Sequence, residues 1–225
     1  MADAAPPGVI FDLDGTLIDS APDIHRVANL VLGTHGLHEL SFATVRGFIG
    51  NGVGVLVARL LDAQGLSTTG AQHAAMVAEF VALYEDAVGL TSVYPGVADL
   101  LETLARGGHA MAICTNKPEA PARTVLRQFG LAQHFSVVIG ADTLAERKPH
   151  PAPLLAALAA LGVPRAVFVG DSEVDAETAA AAGLPFALFS GGYRKTPVTA
   201  MGARLIFDHH TALPGLLPKA WPGPG

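Results

Sequence analysis

The stretch Val-Ile-Phe-Asp-Leu-Asp-Gly-Thr at positions 9–16 joins a short apolar run to two acidic residues and a turn. The apolar run, Val9 to Leu13, is bounded by Gly8 and by Asp14-Gly15-Thr16, and such a run between turn residues predicts a buried strand. Acidic side chains therefore stand where this strand ends.

The chain after this strand changes its pattern twice. Residues 21–90 contain no convincing strand and show apolar residues at helical spacing in 24–32, 53–61 and 74–88. From Tyr94-Pro95-Gly96 onward, short apolar runs alternate with helical patterns that end at glycines. The runs predict strands at 110–115, 135–140, 166–170, 186–189 and 204–207. Strict alternation of strand and helix predicts an α/β fold with a parallel sheet covered on both faces.

The length of 225 residues favours a core with an inserted smaller unit, because a typical domain has about 150 residues. We therefore expect a core made of residues 1–20 and 91–225, and an inserted helical unit at 21–90. Half of the residues are hydrophobic, which supplies enough apolar surface for both.

Charge and composition exclude several kinds of partner. The net charge is -6 and no basic cluster is present, so nucleic acid is not expected to bind. No apolar run approaches ~18 residues and the first residues do not resemble a signal peptide, which argues against membrane insertion and secretion. The single cysteine, Cys114, cannot form an internal disulfide and suits a reducing cytoplasm. The sequence is compatible with a monomer and with a homodimer.

Polar residues follow four of the predicted strands, where open parallel sheets bind their ligands. Each group also has an ordinary structural interpretation: Asp-x-Asp-Gly suits a turn, Asn116 suits a helix cap, and Lys148 suits the surface. The acidic residues after the fourth of these strands, Asp171 and Asp175, would suit the amino end of a helix. Taken together, the carboxylates would face one another, which is costly unless a cation and an anion neutralise them. The groups are Asp12 with Asp14, Thr115 with Asn116, Lys148, and Asp171 with Asp175.

Metal-assisted phosphoryl transfer is the chemistry that uses such a set. A hard divalent cation, most simply Mg²⁺, would be coordinated by the carboxylates of Asp12 and Asp171. Lys148 would hold an anionic phosphate and offset the carboxylate charge. Asp12 is the candidate nucleophile, and Asp14 is placed to protonate the leaving oxygen and later activate water. Thr115 and nearby backbone amides would bind the transferring group.

Four segments, in this order, resemble the motifs of the haloacid dehalogenase-like hydrolases: 11–17 (FDLDGTL), 115–117 (TNK), 148–149 (KP) and 170–175 (GDSEVD). The resemblance implies a Rossmann-like doubly wound core, Mg²⁺ dependence, an aspartyl-phosphate on Asp12, and a metal ligand in the backbone carbonyl of Asp14. Asp175 would support the site by orienting a bound water or ligand. The resemblance also implies that residues 21–90 form a cap that closes over the crevice. The namesake dehalogenases lack the second aspartate of the first motif, so Asp14 favours phosphate chemistry.

Within this superfamily the chain is most similar to the bacterial phosphoglycolate phosphatases. The similarity is carried by 14–23 (DGTLIDSAPD), 49–52 (IGNG), 142–144 (DTL) and Gly192-Tyr193. It implies hydrolysis of 2-phosphoglycolate, a small phosphorylated metabolite, to glycolate and phosphate. The alternatives are a phosphatase of another small metabolite, a phosphosugar mutase of the same superfamily, and a non-catalytic phospho-receiver module.

Recognition of the carboxylate of such a substrate is expected from the cap. The turn Gly50-Asn51-Gly52 can bring backbone amides to a small anion, and Arg46 or Arg59 would add charge. The segment Arg194-Lys195 departs from the family pattern and is the next candidate.

Three further features are expected to have structural roles only. Cys114 should lie in the core. His209 and His210 lack the spacing of metal ligands and are expected on the surface or in a loop. The segment from Trp221 to the end should be loose.

Overall fold

The structure, a computed structural model, describes residues 6–85 and 87–221. Six parallel strands form its central sheet, in the order β5-β4-β1-β6-β7-β8. The strands are β1 (Gly8–Phe11), β4 (Met111–Cys114), β5 (Val137–Ile139), β6 (Ala166–Gly170), β7 (Phe186–Phe189) and β8 (Leu205–Phe207). The predicted α/β class and its parallel sheet are confirmed.

The strand that opens the sequence lies in the middle of this sheet. Val9 in β1 pairs with Met111 of β4 on one side and with Val167 of β6 on the other. Successive residues of a strand point to opposite faces, so Val9 and Phe11 join one apolar cluster and Ile10 joins the other. One strand therefore supplies both hydrophobic cores.

Helices cover both faces of the sheet. On the face of Val9 and Phe11 lie α5 (Val97–Arg106), α6 (Glu119–Gln128) and α9 (Leu213–Leu216). On the opposite face lie α7 (Ala152–Leu161) and α8 (Glu173–Ala182). Sheet and helices thus form three layers, and the carboxyl ends of the strands open on one edge.

In the described part of the chain, four helices lie between the first strand and the rest of the core. They are α1 (Ala21–Thr34), α2 (Phe42–Arg46), α3 (Val53–Ala63) and α4 (Ala71–Tyr84). They enclose an apolar cluster of their own, in which Val57, Leu60 and Phe80 are fully buried. The last helix ends at Tyr84, before the end of the predicted pattern at Val88.

A short antiparallel ribbon joins these helices to the core. It consists of β2 (Ile18–Asp19) and β3 (Ser92–Val93), which lie at the two points where the chain leaves and returns. The ribbon has no signature in the sequence, because two residues are too few for a strand periodicity.

Two expectations about the chain beyond the last strand are wrong at the residues Trp221 and His210. Trp221 packs against the core, with its ring 4.8 Å from the Arg165 guanidinium; residues 222–225 lie outside the described part of the chain. His210 is buried rather than exposed, because its neutral ring fits against Phe189 and donates its Nε2–H to the carbonyl of Thr16 at 2.7 Å. Cys114 is buried, as expected. No helix within the described ranges is long and apolar enough to span a membrane.

Asp23 in the first turn of α1 holds the returning chain in place. Its side chain is fully buried, and its Oδ2 accepts hydrogen bonds from the backbone N–H of Leu90 at 2.8 Å and of Thr91 at 2.7 Å. The Thr91 hydroxyl donates to the same oxygen at 2.8 Å. One carboxylate therefore ties together the two ends of the helical insertion.

We expect Asp23→Ala to lower the free energy of unfolding by at least ~2 kcal/mol, because buried donors lose their acceptor. Asp62→Ala is the matched control, since Asp62 is exposed on α3, and it should change the stability by less than ~0.5 kcal/mol. Urea unfolding of both variants measures the difference. Equal stability of the two variants would contradict the role given to Asp23.

Candidate active site

The carboxyl ends of three neighbouring strands bring polar side chains into one crevice. Asp12 follows β1, Thr115 follows β4 and Asp171 follows β6. Because these strands are adjacent and parallel, their ends meet at the same edge of the sheet. The Asp12 N–H donates to the carbonyl of Val169 at 2.8 Å, which fixes the end of β1 against β6.

Three buried carboxylates meet at this edge. One oxygen from each of Asp12, Asp171 and Asp175 lies within 4.8 Å of the others. The Lys148 ammonium joins two of them, with Nζ 2.9 Å from Asp12 Oδ1 and 2.7 Å from Asp175 Oδ1. Lys148 is only 3% exposed. The surface interpretation of this lysine is therefore wrong.

Asp175 is the supporting member of this cluster. Its Oδ2 accepts from the backbone N–H groups of Asp171 and Ser172, each at 3.1 Å, and from the Ser172 hydroxyl at 2.7 Å. The Ser172 contacts form a capping box at the start of α8. Since its Oδ1 binds Lys148, both oxygens of Asp175 have protein partners. Asp175 thus holds Asp171 and Lys148 in place.

The cluster carries more negative than positive charge in a buried place. Burial raises the pKa of Asp12 to about 7, an effect that Lys148 opposes and Asp175 strengthens. Burial also raises the pKa of Asp171 well above its usual value, and the charges of Asp175 and Asp12 add to the rise. Burial by itself lowers the pKa of Lys148, but the two carboxylates beside it outweigh that effect and keep the pKa above its usual value. A bound cation would relieve this excess of charge.

The donor groups fit a hard divalent cation, which prefers oxygen ligands. Asp12 Oδ1 is buried and touches Lys148 without an aligned hydrogen bond, so it retains lone pairs. The oxygens of Asp171 accept from the Thr16 hydroxyl at 2.9 Å and from the Tyr193 N–H at 2.6 Å. These contacts orient Asp171 and leave it free to coordinate. Asp12 and Asp171 can therefore hold a metal.

Two glycines make room for the carboxylate of Asp171. A Cβ atom would lie 2.6 Å from Asp171 Oδ2 if placed on Gly15, and 2.2 Å if placed on Gly192. Gly15 also has a φ of 90°, which favours glycine. Close backbone approach from two loops thus fixes the position of this side chain.

Asp14 lies in a different environment from Asp12. Its Oδ1 accepts from the Ser20 hydroxyl at 2.6 Å and from Lys117 Nζ at 3.4 Å. Asp12 and Asp14 both line a cavity between the sheet edge and the inserted helices. Two carboxylates of one motif therefore face the same space with different partners.

Thr115, Asn116, Gly50 and Gly52 also line this cavity. The Asn116 side chain donates to the carbonyl of Gly50 at 3.1 Å and to that of Lys148 at 3.0 Å. It does not cap α6, whose first flanking residue is Pro118. Asn116 instead connects the glycine turn of the inserted helices to the loop that carries Lys148.

The charged residues that sequence analysis assigns to substrate recognition have other partners. Arg59 donates to the carbonyl of Phe48 at 2.8 Å and to Asn51 Oδ1 at 3.0 Å, which stiffens the turn. Arg46 donates to the carbonyl of Gly192 at 2.8 Å. None of Arg46, Asn51 and Arg59 is among the described residues that line the cavity. Arg194 binds the carbonyl of Ser190, and Lys195 is exposed.

Two polar residues among the described residues that line the cavity, Lys117 and Tyr84, are missing from the predicted site. Lys117 is buried, donates to the Tyr84 hydroxyl and lies 3.7 Å from the centroid of that ring. Burial lowers the pKa of Lys117, an effect that Asp14 opposes. A signal for Lys117 existed, since it directly follows Thr115-Asn116. Tyr84 has no such signal in the sequence, because its position matches that of any buried residue at the end of a helix.

Tyr193 also contributes to the site, although the sequence gives it no role beyond the family similarity of Gly192-Tyr193. Its hydroxyl accepts from the backbone N–H of Ser20 at 2.9 Å and of Ala21 at 3.0 Å, and donates to Asp19 Oδ1 at 2.7 Å. Its own N–H binds Asp171. Tyr193 thus connects the entrance of α1 to the carboxylate cluster.

Comparison with known proteins agrees with this arrangement. Residues 9–189 match the family model for haloacid dehalogenase-like hydrolases. The chain belongs to this family of hydrolases. A phosphoglycolate phosphatase from Cereibacter sphaeroides is 51% identical over 212 residues, covering 94% of this chain and 97% of the relative. One from Rhodobacter capsulatus is 45% identical, covering 96% and 98%.

A solved structure shows the same fold. The crystal structure described as a predicted phosphoglycolate phosphatase from Haemophilus somnus has a TM-score of 0.88 and 30% sequence identity, and the match covers 96% of this chain and 100% of that one. The haloacid dehalogenase-like fold implied by the four motifs is thereby confirmed.

We expect Gly192→Ala to weaken the binding of divalent metal by at least ~10-fold, because a methyl group at this position displaces Asp171. Gly33→Ala is the matched control, since a Cβ atom there meets no other atom within 4 Å. Titration calorimetry with Mg²⁺ or Mn²⁺ measures the affinity of each variant. Unchanged affinity in Gly192→Ala would show that Asp171 is not a ligand.

Proposed function

We propose that this hydrolase converts 2-phosphoglycolate to glycolate and phosphate in a Mg²⁺-dependent reaction through an aspartyl-phosphate. The observation that carries the proposal is the cavity in which Asp12 and Asp14 meet beside the buried Lys148. The names of the relatives, at 45–51% identity over nearly the whole chain, support the same substrate.

Asp12 is the nucleophile in this proposal. Its carboxylate attacks phosphorus, the ester P–O bond breaks, and a covalent aspartyl-phosphate forms. Lys148, 2.9 Å from Asp12 Oδ1, favours the ionised form that the attack requires and balances charge on the phosphate. Thr115 at the end of β4 contributes to the same phosphate site.

Asp14 is the general acid and then the general base. It gives a proton to the glycolate oxygen as the ester bond breaks, since an alkoxide is a poor leaving group. As a carboxylate it then takes a proton from the water that attacks the aspartyl-phosphate. The P–O bond to Asp12 breaks, which releases phosphate and restores both aspartates. The Ser20 hydroxyl holds Asp14 at 2.6 Å for both steps.

Asp12, Asp171 and the backbone carbonyl of Asp14 would hold the Mg²⁺ ion, with Asp175 in support. When bound, the ion supplies positive charge that offsets the repulsion between the nucleophile and the phosphate oxygens. The hydrogen bonds from the Thr16 hydroxyl and the Tyr193 N–H keep the Asp171 carboxylate oriented for this role.

Residues 21–90 act as the cap and residues 1–20 and 91–225 as the core. The separate apolar cluster of α1–α4 supports this division, as does the ribbon at the two crossing points. The cap faces the cavity with apolar side chains, among them Ile24, Val53, Leu56 and Phe80, which would exclude bulk water from the reaction. A cytoplasmic location without nucleic acid or membrane partners remains a prediction of the sequence.

The first experiment measures turnover by the purified protein over a panel of small phosphate esters. We expect the largest kcat/KM for 2-phosphoglycolate, loss of activity in excess chelator, and inhibition by Ca²⁺, whose looser coordination misaligns the nucleophile. Asp12→Asn should lower kcat by about three orders of magnitude or more. Activity only after addition of a bisphosphate would point to a mutase, and no turnover of any ester would contradict the proposal.

Asp14→Asn should separate the two chemical steps. With nitrophenyl phosphate, whose leaving group needs no proton, the variant should release about one nitrophenolate per enzyme in a burst and then stall as the aspartyl-phosphate. With 2-phosphoglycolate, even the burst should be lost. Rapid-quench measurements follow both products. Equal loss of the first step with the two substrates would assign Asp14 a different role.

A further inference from the structure

The cavity offers its ligand one cationic side chain. Among the described residues that line it, Lys117 alone is a lysine or arginine; Lys148 contacts Asp12 and is not part of the lining. Around it the cap presents apolar groups such as Ile49 and Phe80. An anionic group of the substrate, removed from water by this wall, needs a cation within contact distance.

The chemistry of the substrate restricts where that cation must be. In 2-phosphoglycolate, a single methylene separates the ester oxygen from the carboxylate. The acid that protonates the ester oxygen must reach that oxygen by a hydrogen bond. Whatever binds the carboxylate must therefore lie within a few ångströms of the acid. Lys117 Nζ lies 3.4 Å from Asp14 Oδ1 and satisfies this condition.

The Lys117 ammonium is held in place by two contacts and keeps one N–H donor for a ligand. An ammonium group has three N–H donors. In the part of the chain that the structure describes, two of them point to Asp14 and to the Tyr84 hydroxyl. The third is available to a carboxylate. The Tyr84 ring lies against the ammonium, with 3.7 Å between Nζ and the centroid, which favours the charged form by a cation–π contact.

Other cations near the cap do not meet the condition. Arg59 is engaged with Asn51 and the carbonyl of Phe48, and Arg46 with the carbonyl of Gly192. Lys195 is exposed. These side chains stabilise the cap or lie at its rim, and none of them lines the cavity.

We propose that Lys117, fixed by Tyr84 of the cap, is the residue that binds the substrate carboxylate and selects 2-phosphoglycolate from neutral phosphate esters. This inference rests on the proposed function. It assigns specificity to the core loop after β4 and its contact with α4, and not to the glycine turn or the cap arginines.

The test compares 2-phosphoglycolate with ethyl phosphate, which has the same number of carbon atoms and no carboxylate. Lys117→Met should lower the ratio of the two kcat/KM values by about 10- to 100-fold, because a hydrogen bond to a charged group is lost. Arg59→Met and Lys195→Met are matched controls that should keep the ratio. A ratio that survives in Lys117→Met while both rates fall together would overturn the inference and make Lys117 a positioning residue for Asp14.

Equilibrium binding keeps the test decisive if Lys117→Met is too slow to assay. In the Asp12→Asn background, which blocks turnover, calorimetry in the presence of Mg²⁺ measures the dissociation constants of both esters. Adding Lys117→Met should weaken the binding of 2-phosphoglycolate by at least ~10-fold more than the binding of ethyl phosphate. Adding Tyr84→Phe should produce the same selective loss of binding by about 3-fold. Equal weakening of both esters would overturn the inference.

The two proposals fail in different ways. A wild-type protein that hydrolyses no phosphate ester contradicts the proposed function. A wild-type protein that prefers 2-phosphoglycolate to ethyl phosphate, and keeps that preference in Lys117→Met, contradicts this inference alone.

Discussion

The buried ion cluster of Asp12, Lys148 and Asp175 is the constraint on which the remaining structure depends. Carboxylates at adjacent strand ends repel one another, and burial raises the pKa of Asp12 to about 7. The Lys148 ammonium lies within 2.9 Å of Asp12 and of Asp175 in α8, and holds these two carboxylates together. The segments around the cluster fix its members in two ways. A capping box at the start of α8 fixes Asp175, and glycines let two loops approach Asp171 closely.

The cavity above this cluster combines a polar floor with an apolar roof. The floor comes from the ends of β1 and β4, and the roof comes from helices that have their own hydrophobic core. Polar groups interact more strongly where water is excluded, so a small number of them is enough for selection and reaction. Lys117 and Tyr84 lie at the boundary, where the floor meets the roof.

Much of the fold could be predicted from the sequence, because its signals are local. The run 9–13, the glycines that end helices, and the acidic residues after the strands all act over a few residues. The missing features depend on contacts between distant segments. His210 is buried because it meets the carbonyl of Thr16, and Lys117 belongs to the cavity because α4 places Tyr84 beside it. The partners of Arg46 and Arg59 also lie in other segments, and no spacing in the sequence reports them.

Tyr193 connects the inserted helices, which we propose to act as a cap, to the carboxylate cluster. Its backbone N–H binds Asp171, and its hydroxyl binds the chain at Ser20 and Ala21, where the cap begins. If residues 21–90 rotate as the proposed cap about this entrance, they would pull on the same residue that orients Asp171. Linkage between the two is reciprocal: if cap orientation alters the affinity of the site for a cation, the cation alters the population of closed caps to the same degree. If residues 21–90 act as the proposed cap, the affinity of the Asp171 site for a cation would report the position of that cap.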